Sequence, residues 1–178
     1  MEQNTAGAEE RNALPENLAL HARNCAMVGD LVGMRAAFRM LEEKAHRMPG
    51  QSQEEALDAL KLECADLVVG HYLSHAAAAG QDGKFEEADR LFADAMKFVL
   101  EEIHTDALQR RLKYAIVEKA KECFKQIAAK FGMPEATDRI RVCSLFTEPQ
   151  AGRVILVVDG WLQEQRKKQA EQDKAAQG

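Results

Sequence analysis

The chain has 178 residues, with 24 Lys and Arg against 29 Asp and Glu and a formal net charge of −5. Such mild acidity excludes the strong basic field that nonspecific nucleic-acid binding needs, and no run reaches the ~18 apolar residues of a membrane span. Apolar residues at 46%, only four Pro and an abundance of Ala, Glu, Lys, Leu and Gln fit one soluble helical domain that needs no covalent staple. The four cysteines, Cys25, Cys64, Cys123 and Cys143, are far apart and form no C-x-x-C pair, so they read as free, buried thiols. The acidic, polar N-terminal stretch lacks the basic start and apolar core of a secretory signal, which makes the cytoplasm the expected compartment.

Residues 1–14 carry few apolar groups and are expected to form a disordered tail. Pro15 suits a first helical turn, and a helix follows from Glu16 with Leu18, His21, Ala22 and Cys25 on one face. Gly29 and Asp30 break it. Leu31, Met34, Phe38 and Leu41 then recur at helical spacing until Pro49 and Gly50. A third helix is predicted to open at Ser52 as N-cap, with Glu55 completing a capping box. Leu57, Leu60, Cys64, Leu67, His71 and Ala78 make its inner stripe, and it ends near Gly80. The fourth helix runs from Phe85 to about His104, with Phe85, Ala88, Phe92 and Ala95 on one face.

Thr105 or Asp106 caps a fifth helix, ended by Gly132 and Pro134. Its stripe of Leu108, Leu112, Ala115, Lys119, Cys123, Ile127 and Phe131 is interrupted by Lys119; Ile116, Ala120 and Phe124 form a parallel row. Ile140, Cys143 and Leu145 fit a short helix ending at Pro149. Residues 153–162 read either as a helix, with Val154, Ile155, Val157, Val158, Trp161 and Leu162 on a broad apolar face, or as a buried strand. The helix is favoured, because helical composition continues downstream and no second strand is there to pair. A helix carrying Trp161 caps the apolar end of a helical stack, or docks in trans as a homo-oligomer contact. The single helical domain is placed at 15–168, and residues 169–178 are expected to fray.

The chain also repeats itself. Gly29-Asp30-Leu31, Met34, Phe38 and Leu41 match Gly83-Lys84-Phe85, Ala88, Phe92 and Ala95 in spacing, and each set follows a helix. With Tyr72, Ala76 and Ala79 before the second break and Ala22 before the first, the two segments, about residues 16–46 and 70–100, resemble tetratricopeptide repeats. Met34 and Leu41 depart from that pattern, which prefers small residues there. The copies lie 54 residues apart, against a family period of roughly 34. The resemblance implies an all-α fold of six or seven helices in stacked antiparallel hairpins, irregular in length. It also implies a groove that binds a peptide or protein partner, with Asn24, His71, Ser74 and His75 near it.

His71 and His75 share a helix face, as do His21 and Cys25, and the two pairs together offer four ligands for a transition metal or haem. The plainer reading is that these are packing positions held in common by the two copies. Arg110, Arg111, Lys113, Lys119, Lys121, Lys125 and Lys130 make the fifth helix basic, opposite an acidic fourth, which reads as a solvated face or as a strip for an acidic peptide. There is no Gly-rich phosphate loop, G-x-S-x-G or H-E-x-x-H. The expected function is therefore a non-catalytic protein–protein interaction module (an adaptor, small chaperone or regulatory subunit) with no cofactor. The alternative is a metal- or haem-binding helical bundle acting as a sensor or carrier.

Overall fold

The computed structural model describes residues 14–47 and 51–176. They form seven α-helices and no strand: α1 Glu16–Met27, α2 Leu31–Arg47, α3 Gln51–Gln81, α4 Phe85–Glu102, α5 Asp106–Phe131, α6 Met133–Val142 and α7 Glu148–Ala176. This is the expected all-α class. None of these helices is long and apolar enough to cross a membrane. The expected tail at 1–14 and the Pro49–Gly50 stop lie outside the described residues, apart from Leu14.

The residues expected to form one domain over 15–168 group into two compact units, divided between His71 and Tyr72 within α3. At 31 residues, α3 is about 46 Å long; its residues up to His71 belong to the first unit and those from Tyr72 to the second. In the first unit α1 packs on α2. Its core holds Ala22, Ala26, Met34, Leu41, Leu60, Cys64 and Val68. Arg23–Glu63 and Lys61–Glu42, both at 2.9 Å, link α1 and α2 to α3. All four side chains are well exposed, so these pairs set register more than stability.

In the second unit α5 packs against α4, α6 and α7. Phe92, Val99, Ile116, Ile140 and Val158 are its largest fully buried side chains. On α5 the parallel row prevails: Ile116, Ala120 and Phe124 are buried with Leu108, Leu112, Cys123 and Ile127, whereas Ala115 and Lys119 are exposed and Phe131 is 41% exposed. Lys121 and Lys125 pair with Glu118 and Glu122 of their own helix.

Several predicted boundaries move. Ser52 lies inside the first turn of α3, which starts at Gln51, so it is not the N-cap. Thr105 does occupy the N-cap of α5, but its hydroxyl makes no capping bond. Pro149 starts a helix instead of ending one: it sits in the first turn of α7, where a missing N–H leaves no bond unmade. The apolar run 153–162 is helical, with Val154, Val158 and Leu162 buried and Val157 turned outward. Where fraying is expected from residue 169, α7 runs on to Ala176; Gln163–Ala176 is exposed throughout and rich in strong helix formers.

Candidate functional site

The two matched breaks close in the same way. Gly29 (φ +73°) donates its N–H to the Ala26 carbonyl and Asp30 donates to Cys25; Gly83 (φ +79°) donates to Gly80 and Lys84 to Ala79. Both sets are the paired short-range bonds of a left-handed glycine cap. Each cap also receives a side chain from a later helix. His71 Nδ1 lies 3.1 Å from the Met27 carbonyl; a carbonyl only accepts, so Nδ1 carries the proton. In the second unit Lys130 Nζ donates to the Gln81 carbonyl at 2.5 Å. Met27 and Gln81 are themselves matched positions of the two copies. The start of the next helix differs: Asp30 Oδ1 accepts the Gly33 N–H at 3.0 Å and caps α2, whereas Lys84 makes no such side-chain bond for α4.

Of the residues expected at a partner groove, Asn24 is exposed on α1, and Ser74 and His75 are exposed on α3 in the second unit. His71 is half-buried, its ring against Gly29 and its Nδ1–H on α1's last turn. Asn24 does not stand alone. Helical spacing sets it between Leu20 and Met27 on the side of α1 opposite Ala19, Ala22 and Ala26. Leu20 is 55%, Met27 58% and Val28 68% exposed, with Val32 of α2 also exposed. The sequence carried a signal for this: apolar residues at 20, 27 and 28 lie off the inner stripe.

The residues of the metal reading are not brought together as a ligand set. His21 is exposed, its ring nitrogens 3.7 and 3.9 Å from Cys25 Sγ, and among the described residues no three His, Cys, Asp or Glu side chains converge to hold a metal ion. All four cysteines are free and buried. Burial pushes the Cys64 and Cys123 thiols up to about 11. Burial also raises Cys143, as does its hydrogen bond to Asp89; for Cys25, burial acts with the nearby Asp30 carboxylate. Such thiols are protonated at neutral pH and poor nucleophiles.

A pH dependence follows. A thiol with a raised folded-state pKa stabilises the fold fully below its unfolded value, near 9, and that contribution is lost as pH rises through about 11. Urea unfolding is expected to lose about 1.4 kcal/mol per pH unit per such thiol across this window. Cys123→Ala should flatten the slope in the second unit by about that amount; an unchanged slope would place the Cys123 thiol in water.

No protein-family model matches this chain, and neither a curated protein nor a solved structure shows significant similarity to it.

Proposed function

We propose that the chain is a non-catalytic protein–protein interaction module whose first unit receives a partner segment along the outer face of α1. The observation that carries this reading is the exposed stripe Leu20–Asn24–Met27–Val28, apolar except for one amide, on the solvent side of a capped hairpin. Contiguous exposed apolar side chains on a rigid element mark interaction surfaces more often than scattered ones do. Asn24 would orient the partner backbone by its amide. His71 would act indirectly, holding the α1 turn through the Met27 carbonyl. The matched glycine caps, each braced from a later helix, support the likeness to tetratricopeptide hairpins. Ser74 and His75 would provide polar contacts from the second unit's own surface. Four free thiols suit a reducing compartment, and the cytoplasm is the proposed location.

The test is affinity capture from the native cell, comparing the parent chain with a Leu20→Asp, Met27→Asp double variant. Both side chains point away from the core, so the variant should fold with an unchanged urea midpoint. Removing two apolar anchors of ~1.5–3 kcal/mol each should weaken partner binding by more than tenfold. A captured partner retained equally by the variant would move the interaction elsewhere. Loss of a self-association instead would make the occupant a second copy of this chain.

A further inference from the structure

The second unit holds a partly open cavity of about 70 Å³ between α4, α5 and α6. Ala88, Phe92, Cys123, Phe124 and Ile127 form its inner walls, each no more than 5% exposed. Val142, at 69% exposed, marks its open side. Further rings brace the aromatic walls. Phe85, also on the lining, meets Phe131 edge-on with ring centres 5.3 Å apart, and Phe124 meets Phe146 at 6.2 Å. The Arg139 guanidinium lies 4.7 Å from the centre of the Phe85 ring, and its Nε donates to Glu135 at 2.7 Å. Walls held in this way resist collapse, so the space is formed before any ligand arrives.

Lining and size narrow the occupant. The space is several times the ~10–15 Å³ that one water requires, but a buried water also needs roughly two to four polar partners. Among their side chains, the inner walls offer only the Cys123 thiol, a weak donor. Glu86 is exposed at the rim, and Arg139 is engaged with Glu135 and Phe85. Asp89 borders the cavity too, but its Oδ1 exposes less than 1 Å² and lies out of an occupant's reach. A charged or strongly polar group would therefore enter without a partner, at high cost. Dry cavities of about 150 Å³ lined by Leu, Ile and Phe take xenon or benzene. At about half that volume, this one holds xenon or the last ~three carbons of an unbranched chain, and a branched end is too wide for it.

We propose that this cavity is a binding site for a small neutral alkyl compound, the unbranched end of whose chain lies among Phe92, Phe124 and Ile127 while any polar end stays in water beyond Val142. This does not depend on the partner surface of α1, which belongs to the other unit.

Methyl-resolved NMR of the full chain, titrated with xenon, n-butanol and tert-butanol, tests it. Saturable shifts are expected at the methyl groups of Ala88, Ile127 and Val142 with xenon and with n-butanol, and none at Val158, which is buried elsewhere in the same unit. tert-Butanol should bind at least about tenfold more weakly than n-butanol, the loss expected when about two CH₂ groups stay unburied. Ala88→Val fills the space from its wall and should abolish both sets of shifts. Should that variant fail to fold, Ile127→Ala widens the cavity and should remove the preference for the unbranched chain. No saturable shift with xenon or n-butanol, equal binding of tert-butanol by the parent chain, full binding by folded Ala88→Val, or an undiminished preference in folded Ile127→Ala would each overturn the proposal.

Discussion

Gly29→Ala is expected to destabilise the first unit by about 1.5–3.5 kcal/mol, and Gly83→Ala to cost the second only about 1–2. Both glycines have left-handed backbones, at φ +73° and +79°, and both close the same pair of cap bonds. A Cβ in that conformation costs roughly 1–2 kcal/mol at either position. Their surroundings separate them. At Gly83 the added carbon would lie 3.5 Å from Phe131 Cζ, an ordinary contact. At Gly29 it would lie 2.7 and 2.8 Å from Cδ2 and Nε2 of His71. The imidazole would have to turn away, breaking its bond to the Met27 carbonyl, which adds about 0.5–1.5 kcal/mol. Amide exchange resolved by helix would read the two units separately. The extra cost at position 29 should vanish when Gly29→Ala is made in a His71→Ala background. Equal costs at 29 and 83, or no coupling to His71, would mean that the ring does not brace this turn.

The breaks at Gly29, Gly83 and Gly132 were legible because positive φ is chemically reserved for glycine, so the residue type announces the geometry. Which apolar row of a helix faces inward is a weaker signal. On α5 two rows competed at helical spacing; burial fell to Ile116, Ala120 and Phe124 because the intruding Lys119 is far costlier to bury than Ala. Pro149 marked a boundary, yet proline suits the residues after one helix and the first turn of the next equally well, so its sense stayed hidden. The end of α7 was unreadable for the opposite reason: Gln163–Ala176 is strongly helix-forming and buries nothing, so no apolar period says where to stop. The functional residues divide in the same way. Leu20 and Met27 could be read from one helix, because apolar groups off the inner stripe have nowhere to go but outward. The role of His71 depends on a carbonyl 44 residues earlier. Residues of this kind acquire meaning only from packing.

Gly80→Ala is the second expected result, because local preference and packing predict opposite signs. Gly80 lies inside α3 without a left-handed backbone, and in a solvated helix its replacement by Ala should stabilise by about 0.5–1 kcal/mol. Gly160, with open space around its would-be Cβ on the exposed side of α7, should show that gain. At Gly80 the new carbon would collide with Cys123 Sγ. The surroundings resist relief: Gln81 and Gln126 bond at 2.8 Å, Lys130 holds the Gln81 carbonyl, and Cys123 is 2% exposed. Overpacking of this kind costs about 1–3 kcal/mol, which outweighs the helical gain. Cys123→Ala removes the colliding sulfur, so Gly80→Ala in that background should turn neutral or stabilising. The urea-unfolding cycle over the four proteins should then give a coupling of about 1–3 kcal/mol, within the range seen for residues in direct contact. If Gly80→Ala stabilises as Gly160→Ala does, α3 and α5 do not meet at this point. The Ala-rich end of α3 would then owe its small residues to helix propensity alone.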